Sequence, residues 1–201
     1  MTTPQLFIKS EERPFFAHHM LLHASDLAIR EAEATQVGQF NRCLSAMVMI
    51  SLSVEALLNA VGSRVITDDW SSFERFRPYE KIDALVEKLG IDRDATQPPW
   101  PTLQYLGGFR NDIAHAKPEL VVKQAVMPDA GLTKTMFKIP QSTLEREITL
   151  GNAKRTLEAV QTLKGLLTDA LPVDSRFGIY SDMSIGSTTL HVPIKLCSQE
   201  G

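Results

Sequence analysis

Three side chains near the middle of the sequence combine the residue types that phosphodiester cleavage needs. They are Arg110, Asn111 and His115, all within residues 110–115. A neutral histidine can accept the proton of a ribose 2′-hydroxyl, because its imidazole titrates near cellular pH. The planar guanidinium of arginine can stabilise charge on the phosphoryl oxygens, and an asparagine amide can orient the phosphate or the histidine. This chemistry requires no metal ion, but the leaving 5′-oxygen needs a proton from water or from a second histidine.

A helix predicted over residues 101–116 would hold these side chains away from its own core contacts. At about 100° per residue, Asn111 and His115 are four positions apart and stack on one face. Arg110 lies at the flank of that face, with a side chain long enough to reach towards His115. The opposite face carries three apolar residues that should be in the core: Leu106, Phe109 and Ile113.

Gly107 and Gly108 directly precede the polar residues. Each costs about 1 kcal/mol in a helix, and a close approach by another helix or by a ligand is one reason for such glycines. The polar residues also have a purely structural interpretation. An arginine, an asparagine and a histidine at this spacing form a weak pattern that surface residues also produce. His115, in the last turn, could simply bind carbonyl groups and interact favourably with the helix dipole.

Residues 109–115 resemble the signature of the HEPN superfamily, in which an arginine and a histidine four to six residues apart close a late helix of a helical bundle. Four residues separate Arg110 from His115, and Asn111 matches the polar residue that commonly follows the family's arginine.

The resemblance extends upstream of this signature. Residues 53–60 look like the family's early helix, which carries an acidic residue among apolar ones, and residues 79–90 look like the helix that usually precedes the signature. The match covers residues 15–118 in order.

The resemblance implies a mainly α, HEPN-like helical bundle that is a metal-independent endoribonuclease, toxin- or defence-like, cleaving RNA by 2′-hydroxyl transesterification. Arg110, Asn111 and His115 would be its catalytic residues, supported by Glu55 and Asp112, with no cofactor and no metal. Such proteins typically act as homodimers whose two signatures line a shared cleft, so that one histidine per subunit could serve as base and acid. Other members have lost catalysis and bind RNA, a nucleotide or a protein partner. An antitoxin or regulatory protein is a further expected partner.

Glu55 belongs to a polar stripe on an otherwise apolar helix, together with Ser51 and Asn59 at spacings of four residues. One interpretation is a buried polar ladder satisfied by neighbouring backbone. The other is that Glu55 pairs with Arg110 and holds its guanidinium in place, because an unpaired buried carboxylate is costly.

Two other clusters have both a functional and a structural interpretation. His18, His19 and His23 include a pair one helical turn apart that could bind zinc, but no HExxH glutamate or cysteine accompanies them and ordinary surface histidines are favoured. Four aromatic residues could stack on nucleobases, although such residues more often cover a helix end: Trp70, Phe73, Phe76 and Tyr79.

The composition indicates a globular protein that does not coat nucleic acid. Hydrophobic residues make up 43% of the 201 residues and the formal net charge is −3, whereas proteins that bind along duplex DNA usually carry a strong positive field.

Cys43 and Cys197 form neither a disulfide framework nor a zinc motif. The apolar stretch 43–61 contains Glu55 and Asn59, so it is predicted to be a buried core helix and not a membrane span. A cytoplasmic protein is expected.

Apolar periodicity predicts a single helical domain over residues 1–171. A helix following Ser142, with a capping box to Glu145, should end at Pro172 and could be broken at residues 151–152. Three earlier helices are each predicted to end at a glycine: 14–35, 39–61 and 78–89.

The remaining segments lack helical periodicity. Residues 67–72 are predicted to be a loop. Residues 120–140 alternate like strands around a turn, which predicts a small β-hairpin inserted after the signature helix. The C-terminal tail, residues 172–201, is expected to add an edge strand at 188–196 or to be mobile.

Overall fold

Seven α-helices make up most of the part of the chain that the structure describes. The computed structural model describes residues 9–122, 124, 139–180 and 187–190. In chain order the helices are α1 (Ala17–Ala34), α2 (Gln39–Val65), α3 (Trp70–Arg75), α4 (Pro78–Leu89), α5 (Trp100–Ala114), α6 (Thr143–Glu147) and α7 (Leu150–Ala170). The chain is therefore mainly α, as the sequence predicts.

The central element is α2, which contacts α1, α3, α4, α5 and α7. Its apolar residues surround most of the helix, so burial on one side alone could not satisfy them. Six of them have almost no exposed surface: Ala46, Met47, Ile50, Leu57, Leu58 and Val61. Polar side chains on α2 consequently extend from a helix that lies in the core.

By length and composition alone, α2 is also the one described helix that could cross a membrane. Half of the 18-residue apolar segment of α2 is buried inside the protein. The core helix of a globular bundle can be equally long and apolar.

Glycines at helix ends behave in two different ways. Gly90 follows α4 with φ +63° and caps the helix in the left-handed conformation, as the sequence predicts. Gly62 was predicted to end α2, and that prediction is wrong, because the helix continues to Val65. A Cβ on Gly62 would lie 2.2 Å from the Phe73 ring, so this glycine allows α3 to pack closely against α2. The loop predicted over 67–72 is also corrected, since α3 begins at Trp70.

The capping box between Ser142 and Glu145 is present, but it begins the short helix α6. The helix is interrupted at Ile148 and Thr149, just before residues 151–152, where the sequence predicts a break. The Thr149 side chain then caps α7 by accepting a hydrogen bond from the backbone N–H of Asn152.

Two short strands, β1 (Lys9–Glu12) and β2 (Ser187–Leu190), pair antiparallel, with Lys9 opposite Leu190. The second strand falls at the start of the stretch for which an edge strand was considered. Most of the hairpin expected over 120–140 lies outside the described residues, which omit 123 and 125–138.

Candidate functional site

The end of α5 carries Arg110, Asn111 and His115. The helix ends at Ala114, and the backbone N–H of His115 donates to the carbonyl oxygen of Asn111 at 2.9 Å. Leu106 and Phe109 are buried in the core, which fixes the rotation of the helix. Asn111 and His115 are consequently exposed, and Arg110 is partly buried. The neighbouring Asp112 is exposed as well, and Ile113 is half-buried.

Glu55 of α2 and Arg110 of α5 form the predicted ion pair. Arg110 Nη2 donates to Glu55 Oε2 at 3.3 Å, and the two side chains are 38% and 34% exposed. Since Glu55 projects from the central helix, the contact ties the guanidinium to the most buried element of the fold. The ionic interpretation of Glu55 is therefore the one that the structure shows.

Lys81 of α4 is a second cation paired with Glu55, and its role was not predicted from the sequence. Glu55, Arg110 and Lys81 together form a charged cluster. Its side chain is 1% exposed, and its Nζ donates to Asn59 Oδ1 at 2.7 Å and lies 3.7 Å from Glu55 Oε1. The ammonium also lies 5.8 Å from the centre of the Phe73 ring. A signal was available: Lys81 is one helical turn from the fully buried Leu85, on the apolar face of α4, where a lysine needs a partner.

Ser51, the third member of the polar stripe, has a different role. Its hydroxyl donates to the carbonyl oxygen of Val48 at 2.7 Å within α2 itself. The backbone interpretation therefore holds for Ser51, whereas the side chains of Glu55 and Asn59 bind cations from other helices.

A small cavity of about 340 Å³ opens between α2 and α5, beside the ion pair. Arg110 and His115 both border it, so the two groups face a common space. Most of its remaining lining is apolar: Val48, Leu52, Ile113 and Ala114.

His115 also borders a larger groove, of about 1030 Å³, between α5, the segment after it and α6. Asn111 and Asp112 line this groove, and Arg110 does not. Within one chain, His115 thus lines both the small cavity, together with Arg110, and the larger groove, together with Asn111. Among the described residues that line the groove, Lys117 is outnumbered by four acidic side chains: Asp112, Glu119, Glu145 and Glu147.

Tyr105 lies at the wall of this groove. Its hydroxyl is buried, close to the side chains of Glu147 and Arg155. Burial, reinforced by the nearby Glu147 carboxylate, raises the pKa of Tyr105 to about 12. The phenol consequently stays protonated, and the Arg155 guanidinium lies 4.8 Å from its ring centre.

The glycine pair of α5 faces open space. Apart from the neighbouring residues and the backbone of the helix itself, no described atom lies within 4 Å of the position that a Cβ would take on Gly107 or Gly108. The close approach that these glycines suggested is therefore not made within the described part of the chain.

The histidine cluster connects α1 to the turn that follows α7. His19 Nε2 lies 2.7 Å from the carbonyl oxygen of Gly178, and His18 Nε2 lies 3.4 Å from that of Ile179. Burial, and secondarily the neighbouring His19, lower the pKa of His18 to about 4. His23 is exposed on the same helix. No three His, Cys, Asp or Glu side chains of the described residues come together as a metal-binding group.

The aromatic cluster packs mainly against itself. The ring centres of Trp70 and Phe73 are 5.7 Å apart, and those of Phe73 and Phe76 are 6.1 Å apart. Phe73 is buried against Gly62, so its ring is not available to a nucleobase. Tyr79 lies elsewhere, with the Arg93 guanidinium 4.9 Å from its ring centre.

No protein-family model, curated protein or solved structure matches this chain. The geometry of α2, α4 and α5 and the residue types found there are therefore the features that indicate a function.

Proposed function

We propose that this chain is a HEPN-type, metal-independent endoribonuclease, toxin- or defence-like and cytoplasmic, that cleaves RNA by 2′-hydroxyl transesterification. One observation carries the proposal: Arg110, which is paired with Glu55, and His115 line the same cavity. A guanidinium and an accessible imidazole that open onto one space are the minimum that this reaction requires.

The chemistry follows from the residues. His115 takes the proton of the ribose 2′-hydroxyl, and the 2′-oxygen attacks the adjacent phosphorus as the bond to the 5′-oxygen breaks. Arg110 stabilises the charge that builds on the phosphoryl oxygens, while Asn111 orients the phosphate. The departing 5′-oxygen receives a proton from water or from a second histidine. The products carry a 2′,3′-cyclic phosphate and a 5′-hydroxyl group.

A symmetric homodimer would complete this site. Arg110 and Asn111 border different spaces within one chain, and the open side at Gly107 and Gly108 can accept the same face of a second copy. A two-fold axis there would supply the second histidine. Light scattering at micromolar concentration should therefore give twice the mass of one chain, and a monomer would contradict this assembly.

A second candidate function is a catalytically silent HEPN-like module that binds RNA, a nucleotide or a protein partner such as an antitoxin. The observation that favours it is the groove beside Asn111, whose described lining contains four acidic side chains and one lysine. Such a surface repels a polyanion and suits a basic protein segment better.

Incubation of the purified protein with total RNA, with and without EDTA, separates the two candidates. Cleavage that persists in EDTA, leaves 2′,3′-cyclic phosphate ends and spares an all-DNA strand is the expected result. His115→Ala should abolish it while the thermal unfolding temperature is kept, because this side chain is exposed. His23→Ala, an exposed histidine on α1, is the matched control and should cleave normally. No cleavage of any RNA tested would favour the silent module.

A further inference from the structure

We propose that Lys81 is a positioning residue for Arg110. Its ammonium attracts one oxygen of Glu55, so the carboxylate holds the guanidinium through a single nitrogen. The other N–H groups of Arg110 then remain available to a phosphate. The catalytic part of this inference rests on the proposed function. The part that concerns the geometry of Arg110 does not, and the two are tested separately.

Lys81 is held where it must be for this role. Its side chain is 1% exposed, and the hydrogen bond from Nζ to Asn59 Oδ1, 2.7 Å long, fixes the ammonium beside α2. Asn59 and Glu55 are one helical turn apart on α2, so an ammonium anchored to the first is presented to the second. The Phe73 ring closes another side. A buried ammonium with these neighbours has little freedom to move away.

The two oxygens of Glu55 are divided between two cations. Oε1 lies 3.7 Å from Lys81 Nζ, and Oε2 lies 3.3 Å from Arg110 Nη2. A guanidinium has five N–H donors and would otherwise form a two-pronged pair with a carboxylate. Because Lys81 attracts Oε1, the described contact of Glu55 with Arg110 involves Nη2 alone.

The charges of the cluster lead to the same conclusion. Two cations and one carboxylate leave a net charge of about +1 beside the cavity that Arg110 and His115 border. Without the Lys81 ammonium, Glu55 and Arg110 would form a neutral pair. A neutral pair attracts a phosphate less strongly, and a doubly held guanidinium has fewer donors to offer it.

The test uses Lys81→Met, which keeps the length of the side chain and removes its charge. Lys81→Gln is a second variant that still offers a donor to Asn59. Lys88→Met is the matched control, because it removes the same charge from an exposed position of α4. Thermal unfolding of each variant shows that the protein compared is folded.

The functional arm measures RNA cleavage and the binding of an uncleavable 2′-O-methyl RNA. Lys81→Met should weaken binding and lower kcat, each by about tenfold, within the range of coupling between contacting residues. In a Glu55→Gln background the same substitution should cost clearly less, because no carboxylate remains to clamp Arg110 and only the loss of the Lys81 charge is felt. An equal loss in both backgrounds would show a merely structural role and overturn the proposal, as would wild-type kcat and binding in Lys81→Met.

The structural arm is a crystal structure of Lys81→Met, or of Lys81→Gln if the first variant does not fold. Both oxygens of Glu55 are expected within hydrogen-bond distance of Arg110. Unmoved Glu55 and Arg110 side chains would overturn the proposal whether or not the protein cleaves RNA. Should the wild type neither bind nor cleave RNA, the proposed function fails, and this structure still decides whether Lys81 positions Arg110.

Discussion

Acidification should destabilise the protein through one buried histidine. His18 is fully buried, and burial, together with the positive charges of His19, Lys164 and Arg64, lowers its pKa from 6.5 to about 4. The folded state therefore binds this proton less readily than the unfolded state does. The stabilising contribution of the neutral ring is fully present above the unfolded pKa of 6.5, and it is lost progressively as the pH falls towards 4.

The size of the loss follows from the shift. A difference of one unit in pKa corresponds to about 1.4 kcal/mol, so His18 should lower the free energy of unfolding by about 3 kcal/mol between pH 7.5 and pH 4. Other groups also titrate between pH 7.5 and pH 4. The informative quantity is therefore the difference in the free energy of unfolding between the wild type and a variant without the His18 imidazole.

His18→Phe keeps a planar ring and cannot be protonated. Urea unfolding at pH 7.5, 6, 5 and 4 should show the wild type losing about 3 kcal/mol more than the variant across this range. His23→Phe, at an exposed position of the same helix, controls for the removal of a histidine. An identical pH dependence in the wild type and in His18→Phe would refute the reasoning.

Two further predictions concern α2. Glu55→Gln should lower the free energy of unfolding by about 1–3 kcal/mol and also weaken RNA cleavage, because Glu55 is the counter-charge of the buried Lys81 and the ion-pair partner of Arg110. Unchanged stability in urea denaturation together with unchanged cleavage would contradict this. Gly62→Ala should destabilise the fold by about 1–3 kcal/mol, because its methyl group would meet the Phe73 ring. Gly165→Ala, where the same methyl group meets nothing within 4 Å, should be neutral or stabilising in the same thermal assay.

Residue chemistry predicted the parts of the site that local spacing controls. The exposure of Asn111 and His115 follows from the apolar face of their own helix, and the pairing of Glu55 follows from the cost of a lone carboxylate in an apolar helix. Helix α4 was predicted with its observed bounds, because a proline, a periodic apolar face and a glycine all agree there.

What the sequence did not predict depends on contacts between distant residues. Lys81 is understandable only when α4 packs against α2 and brings its ammonium to Asn59, 22 residues earlier. Gly62 carries the local signature of a helix end, but a ring from α3 requires a glycine inside the helix. In both cases tertiary packing overrides a local rule, and a single sequence does not report which helices pack together.

The two halves of the site should differ in how readily they open. Glu55 lies in the central helix, whose amides are expected to exchange with solvent deuterium only through global unfolding. His115 lies at the C-terminal end of α5 and is followed by an exposed, irregular segment over residues 116–120. Its amide should exchange through local opening at a much lower free energy. Mild denaturant would therefore release the imidazole first, while the guanidinium is still held by the part of the fold that unfolds last.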